Sequence, residues 1–590
     1  DHTQHEVSYK DFINKELVLF SKANVVRAIP SVVDGFKPSQ RKVLFGCFKR
    51  KLKNDVKVAQ LVGYVSEHAA YHHGEASLSE TIVGMAQDFV GSNNINLLVP
   101  QGQFGTRLQG GKDSASARYI YTRLPPWTRA IFPEADDNVL EYLHEEGMSI
   151  EPRWYCPIIP MVLVNGIEGI GTGWSSSIPN FGPRDIIANL RRWLKKQDML
   201  EMLPWFAGYT GKVVKSREEG KVEVTGTAEY HGEGRATITE LPIKKWTQDY
   251  REHLEENLPK GGEKKKEGVK LLEDYTEHHT EKTVHFELKL SAEGIENANK
   301  KEYLEKAFKL RTSISLNNMM LFDPEGKIKK YETAVEIMQD FAVVRLSIYE
   351  KRRAFLLSRL TRECEVLSAK ARFVGLVISG ELKIRRRKIM DLAQDLRRKG
   401  FVAVTQLKGV AASGREGKEA EDEAEEKDEE EEDEEGEDNE DGAAEGGSSS
   451  SSAAAATKKA VRDFEYLVGM PISTLTAEKV AELNRQYELK AAELEALRKR
   501  TPTDLWLQDL GVLEKLLEDR DVAAKEEDRK EQVKILKAKA DRAEGKQRGT
   551  KRAASAGATG EKAEKGGAGG KKRFASEERG GGRAQKRKGA

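Results

Sequence analysis

Lys112-Asp-Ser-Ala-Ser-Ala-Arg118-Tyr119 is the stretch on which the reading of this chain turns. A cationic residue stands directly before a tyrosine, and the glycines Gly102, Gly105, Gly110 and Gly111 precede both. A phenol, with a pKa of about 10, is a poor nucleophile at neutral pH. Cations beside it favour the phenolate and balance the charge that builds on a phosphoryl group under attack. Arg118 is adjacent, and folding can bring His73 and Arg41 to the same place. Taken alone the Arg-Tyr pair says little, because most tyrosines pack with a hydrogen-bonded hydroxyl.

Working outward, residues 8–133 are compact and mixed. Ser39 to Arg50 reads as a short amphipathic helix with Val43, Leu44, Cys47 and Phe48 on one face. A second helix is expected after Ser77, with Ser77-Leu-Ser-Glu80 as a capping box and Leu78, Ile82, Met85 and Phe89 at helical spacing. The glycine-punctuated stretch follows, then the extended-looking Arg118-Tyr-Ile-Tyr-Thr. Two helices and a glycine-rich hairpin are the order of a winged-helix module.

Residues 134–322 read as mixed α/β, with alternating strands across Gly208–Ile243 and a helix over Asp185–Lys196. From Tyr331 the pattern turns to long helices. Leu346, Tyr349, Leu356, Leu360 and Leu367 keep a seven-residue register that Arg353 and Glu363 interrupt. Val480, Leu483, Tyr487, Leu494 and Leu497 do the same around Lys490. Stretches at 331–412 and 459–540 therefore read as the two halves of an antiparallel coiled-coil arm. Two ordinary helices of a bundle are the alternative. Between them, 413–458 is too polar to bury a core and is expected to be disordered, as is the basic tail 541–590.

The net charge of +1 hides an asymmetry. Residues 416–445 hold 20 acidic and 2 basic residues, so the rest of the chain carries 96 basic against 77 acidic. A basic body suggests a polyanionic partner, although a solvated surface explains the charge equally well. Cys47, Cys156 and Cys364 are too far apart for a disulfide framework or a zinc motif. No apolar run approaches the ~20 residues of a membrane span.

Further motifs add a resemblance. Ile29-Pro-Ser-Val-Val-Asp-Gly-Phe-Lys-Pro-Ser-Gln-Arg-Lys42, Tyr71-His-His-Gly-Glu75, Gly102-Gln-Phe-Gly-Thr-Arg107 and Gly110 to Tyr119 resemble the breakage–reunion region of eukaryotic type IIA DNA topoisomerases. Asn165 to Trp174, Leu241 to Gln248, Asp463 to Leu467 and Thr501 to Trp506 are similar to the same family, in the same order. The resemblance covers about four-fifths of the chain; the acidic insertion and the tail fall outside it.

The resemblance implies a multidomain α/β and α+β fold. Its parts are a winged-helix DNA-cleavage domain, a tower domain that bends DNA, and a coiled-coil arm ending in a helical dimerisation gate. It implies that Tyr119 attacks a DNA phosphodiester and keeps the 5′ end, that Arg118 stabilises the transition state, and that His73 hydrogen-bonds near the scissile phosphate. Lys37, Arg41, Lys42, Tyr71, Ser77, Lys112, Trp246 and Lys309 are the implied DNA contacts. Ile170 is the implied wedge between base pairs, although a buried core residue is the reading of that position without the family.

The implied partners are double-stranded DNA and a second copy of the chain, in the nucleus, with no membrane. No phosphate-cradling motif and no Asp-x-Asp-x-Asp cluster occurs. The ligands for Mg²⁺ and the site for ATP are therefore expected on an upstream half or a separate chain, and this chain alone is expected to bind and bend DNA but cleave poorly. The runner-up reading is a catalytically silent scaffold that binds DNA and dimerises.

Overall fold

The structure, a computed structural model, describes residues 6–256, 258, 271–298, 300, 302–384, 389–407, 462–471 and 474–557. The expected acidic insertion at 413–458 lies outside them. The chain divides into two units, Asp1–Leu517 and Glu518–Ala590.

Near the N-terminus three helices pack against one another, and the start of the second holds the candidate tyrosine turn. Pro38–Lys49 starts with Pro at N1, where its fixed φ suits the first turn, and the Gln40 side chain accepts the Lys37 backbone N–H at 3.0 Å. Val58–His68 was not anticipated, although Val58, Leu61, Val62 and Val65 follow helical spacing and are all buried. The helix expected after Ser77 spans Glu75–Ala86. Its N-cap is Gly74, and Ser77 lies within the first turn instead of capping it. Of the extended-looking Arg118–Thr122 stretch, only Tyr121–Thr122 is strand, paired with Val56–Lys57.

The main hydrophobic core runs from Val32 to Met202, takes in Met319–Cys364, and closes with Leu494–Leu517. It crosses residue 133 without a break: Ile131 and Phe132 pack in the same cluster as Tyr155, Ile158 and Leu163. A second core lies on a four-stranded antiparallel sheet, ordered Leu272–Glu277, Phe286–Leu290, Arg235–Glu240, Thr227–Gly232. A three-stranded sheet, Arg311–Ser315, Lys221–Thr225, Lys212–Lys215, completes the α/β part.

The 45-residue helix Ala334–Ile378 packs antiparallel against Ala477–Lys499. The residues that interrupt the seven-residue register are used between the two helices. Glu363 meets Lys490 at 3.2 Å. Arg353 donates to the carbonyls of Arg500 and Arg498 at 2.7 and 2.9 Å, which satisfies acceptors that a helix C-terminus leaves open. The helix that starts at Pro502 runs to Gly557, past the expected start of the tail at 541. Its Ala, Lys, Glu and Arg content favours helix, which overrides the composition argument for disorder up to that point.

At the root of the arm Arg345 is fully buried and donates to Asp136 at 2.7 Å and to the Cys156 carbonyl at 2.6 Å. Arg352 and the Tyr349 hydroxyl both reach Asp509, at 2.7 and 2.8 Å. Removing one member of a buried pair strands the other charge without water. Arg345→Met is therefore expected to cost about 3–5 kcal/mol in chemical denaturation, and a loss under about 1 kcal/mol would contradict this account of the root.

Candidate functional site

Tyr119 is 66% exposed, and the next residue, Ile120, is buried at 1%. This alternation is held by the backbone on both sides. Tyr119 N–H donates to the Ser116 carbonyl at 2.9 Å, and Ala115 N–H to Gln103 O at 2.9 Å. Val58 N–H donates to Ile120 O at 3.0 Å and Ala59 N–H to Ala117 O at 3.1 Å, so the first residues of a helix, whose N–H groups lack intrahelical partners, tie down the tyrosine turn. Gln101 and Tyr121 exchange two further backbone bonds. The phenol thus stands in solvent on a backbone that has little freedom. The Arg118 guanidinium carbon lies 5.1 Å from the centre of the Tyr119 ring.

The loop before the turn depends on two glycines. Gly105 has φ +95° and Gly111 φ +84°, and each lies where a side chain would collide: a Cβ on Gly105 would fall 2.5 Å from Gly111 O, and one on Gly111 2.3 Å from Gln87 Nε2. Gln87 donates to the carbonyls of Phe104 and Gly111, and Asp113 accepts from Thr106 N–H and Oγ1 at 2.8 and 2.6 Å. Lys112 is left exposed at the loop surface.

His73 is exposed just before the helix Glu75–Ala86, with the buried Tyr71 ring edge-on to its imidazole at 5.4 Å. Its neighbour His72 pairs with Glu145 at 2.9 Å. Ser77 is exposed on the same helix. Within this chain, among the described residues, no hydrogen bond, ion pair or ring contact joins Tyr119 to His73 or Arg41.

Two expected DNA contacts are engaged elsewhere. Arg41 is 8% exposed and donates to Asp34 at 2.7 and 3.0 Å and to Phe36 O at 3.2 Å. Asp34 also accepts the N–H groups of Phe36 and Tyr155, so its carboxylate is a fully buried junction that sequence reading missed. The Lys42 ammonium sits on Glu151 at 2.9 Å and on the Ala69 carbonyl. Desolvation favours pairing these cations inside the protein over leaving them facing a ligand. Trp246 is part-buried and serves as packing: Phe89 meets it edge-on at 5.9 Å, and Gly110 and Gly91 lie against it. Lys309 is exposed, with its carbonyl accepting from Lys245 at 3.1 Å.

Ile170 is 87% exposed in the hairpin Ile167–Gly171/Trp174–Ile178, so the buried-core reading of this position fails. The opposite face of the hairpin explains why. Gly169 and Gly171 lie against Ala28, with a Cβ on Gly169 falling 2.2 Å from Ala28 O, and Thr172 bonds Asn24 through both N–H and Oγ1. A strand alternates its faces, so seating the glycines on the helix Val18–Ala28 turns Ile170 outward. Lys37 Nζ donates to Glu168 O at 2.7 Å beside the same hairpin.

Among the described residues no group of three or more histidine, cysteine, aspartate or glutamate side chains is placed to hold a metal ion. The acidic run at Glu134 is occupied by arginines, Asp136 with Arg345 and Asp137 with Arg129. The described residues do not fit a divalent-cation site. Burial pushes the Cys47 and Cys156 thiols up to about 12, so neither competes as a nucleophile. No helix among the described residues is long and apolar enough to cross a membrane.

The family profile of the DNA gyrase/topoisomerase IV A-subunit matches residues 27–511. DNA topoisomerase 2 of Arabidopsis thaliana is 45% identical over 527 residues, which cover 88% of this chain and 34% of the relative. DNA topoisomerase 2 of Plasmodium falciparum is 42% identical over 519 residues, 88% of this chain and 35% of the relative. DNA topoisomerase 2-alpha of Rattus norvegicus is 45% identical over 542 residues, 91% and 34%. The chain spans about a third of the length of these relatives. Among solved structures, the DNA-binding, cleavage and re-ligation domain of Plasmodium falciparum topoisomerase II matches with a TM-score of 0.75 at 42% identity, covering 89% of this chain and 67% of that one.

The different placements of the cations predict different behaviour on DNA. Arg41→Gln is expected to lose about 3–5 kcal/mol of stability through the stranded Asp34. Lys112→Ala is expected to leave stability unchanged and to shallow the log–log salt dependence of DNA binding by about 0.9, the slope of one phosphate contact. Equal effects of the two variants on that slope would contradict the assignment.

Proposed function

The chain belongs to the DNA gyrase/topoisomerase IV family, in which its relatives are eukaryotic DNA topoisomerases 2, and from that premise we propose that it is the core that breaks and rejoins DNA in a type II topoisomerase. The observation that carries the proposal is the exposure of Tyr119 on a pinned turn with Arg118 beside it.

In this reading the Tyr119 oxygen attacks a backbone phosphorus. A bond from phosphorus to the phenolic oxygen forms, and the bond from phosphorus to the 3′ oxygen of the neighbouring sugar breaks. The phenol gives up its proton, the 3′ oxygen leaves and takes one up, and the 5′ phosphate stays on Tyr119. One phosphodiester is exchanged for another, so the bond energy is conserved and rejoining is the reverse step. Arg118 balances the charge on the phosphoryl oxygens, and His73 hydrogen-bonds near the same phosphate. Lys37, Lys112, Ser77 and Lys309 hold the DNA backbone, and the Tyr71 ring orients His73. Arg41 contributes through Asp34, by shaping the Pro38–Lys49 helix entrance.

Two strands need two tyrosines, and so two copies of the chain. Support comes from the helical stretch that begins at Tyr9 and ends at Ala28, with a π turn over Phe12–Leu17. It leaves Tyr9, Phe12, Ile13, Leu19 and Phe20 exposed, apolar side chains that a second copy could cover. The paired helices Ala334–Ile378 and Ala477–Lys499 are read as a coiled-coil arm that holds the copies together at a second gate while the DNA is cut. Ile170, facing outward, is read as a wedge that unstacks a base step at a cost of a few kcal/mol and bends the duplex over more protein. Family members use Mg²⁺ and ATP, and this reading places both sites on residues beyond this chain. The basic clusters Lys571-Lys-Arg and Lys586-Arg-Lys fit a nuclear protein.

An inert DNA-binding scaffold has no need of an open phenol beside a cation, so the geometry favours the enzyme. Tyr119→Phe is expected to bind plasmid DNA within about twofold of the parent, since a phosphate grip is spread over many cations, and to give no protein–DNA adduct after denaturant quenching. An adduct that persists in this variant rules Tyr119 out. Ile170→Gly is expected to keep that adduct chemistry on a pre-bent duplex and to reduce the bend of a straight one, read by energy transfer between labelled ends. An unchanged bend removes the wedge.

A further inference from the structure

The segment Glu240 to Gln248 touches two parts of the molecule that the proposed function treats separately, the loop behind Tyr119 and the hairpin that carries Ile170. On the loop side, the Glu240 carboxylate is buried at 2% and saturated with donors. One oxygen takes the Arg107 guanidinium and the Leu241 N–H, and the other takes the N–H and hydroxyl of Thr210 at 3.1 and 2.9 Å. Arg107 is itself buried at 4%. Gln248 N–H donates to Leu108 O at 3.0 Å. Gly110, at φ +63°, lies so close to the Trp246 indole that a Cβ would fall 2.2 Å from its ring. Three consecutive contacts therefore fix the loop between Thr106 and Lys112 to this segment.

On the hairpin side, Lys244, between Glu240 and Trp246, forms an ion pair with Glu168, two residues before Ile170. The Glu168 carbonyl also takes the Lys37 ammonium. The loop in turn carries the tyrosine turn, because Ala115 N–H hangs on Gln103 O and Asp113 is tied to Thr106. A displacement of the hairpin thus has a continuous path of contacts to Tyr119, with one exposed link at Glu168–Lys244 and one buried link at Glu240–Arg107.

We propose that residues 240–248 are a positioning strut that couples the Ile170 hairpin to the Tyr119 loop, so that bending of the duplex sets the tyrosine against the phosphate. Glu168, Lys244, Glu240 and Trp246 are positioning residues in this scheme; they act through Arg107 and Gly110 and not on the reacting atoms. The inference rests on the proposed function for Tyr119 and Ile170 and adds the route between them.

Glu168→Ala separates this role from simple electrostatics. Removing an exposed carboxylate beside a DNA surface should tighten binding, whereas loss of the strut should lower the adduct. The expected result in the intact protein is unchanged or tighter DNA binding and an unchanged bend, with adduct reduced by about 2- to 30-fold relative to the parent. Glu240→Gln, which strands the buried Arg107 at a cost in stability, should lower the adduct likewise at a temperature where the variant stays folded, and the double variant should lose no more than the larger of the two single losses, as residues in one path do. Amide exchange across residues 104–119 reads the link without any chemistry. A bent duplex should slow it in the parent and not in Glu168→Ala. A parent that shows the slowing but forms no adduct when the Mg²⁺-binding part is supplied overturns the function and leaves the strut standing. Losses that add in the double variant, a bend that falls in step with the adduct, or an exchange response that Glu168→Ala leaves intact each overturn the strut.

Discussion

The arrangement depends on a short backbone segment that is held from both sides. Residues 115–121 are bonded to Gln101 and Gln103 on one flank and to the start of the helix Val58–His68 on the other. An exposed phenol on a free loop would spend most of its time in the wrong place, and ordering it at the moment of reaction would cost about 1–2 kcal/mol for each residue fixed. Here that ordering is done during folding, against a core in which Ile120, Val58 and Leu61 are buried. Among the described residues, no hydrogen bond or ion pair joins the Tyr119 side chain to His73 or Arg41.

Buried charge serves the scaffold, not the ligand. Asp34 with Arg41, Glu240 with Arg107, and Asp136 with Arg345 are all withdrawn from water. The second and third join segments 133 and 209 residues apart in the sequence, and the third ties the root of the long helix to the core. Such pairs add little net stability over apolar packing, but they penalise any arrangement in which one partner is stranded. That penalty favours a fixed relation between the tyrosine loop, the sheet behind it and the arm. Lys112 and Arg118, by contrast, are exposed.

Much of this was legible in the sequence, for local reasons. The glycines at 105 and 111 announce a backbone with positive φ, and the seven-residue register announces paired helices. The role of Arg41 was not legible, because its partner Asp34 lies before the helix and follows no helical spacing, so that nothing in the pattern marks the pair as buried. The outward turn of Ile170 depends on Ala28, more than a hundred residues away, which only the fold brings under Gly169. Arg353, Glu363 and Lys490 looked like flaws in the register and are contacts between the helices. The helix Val58–His68 was missed despite a clean apolar stripe, since two helices and a glycine-rich hairpin already complete a winged-helix order without it.

The most direct measurement is the identity of the residue that carries the DNA. The denatured complex is digested with nuclease and protease, and the modified peptide is sequenced by mass spectrometry. The account predicts a 5′-linked nucleotide on the side chain of residue 119. A nucleotide found on Tyr121, on Tyr71 or on a serine of the 114–116 stretch would contradict it.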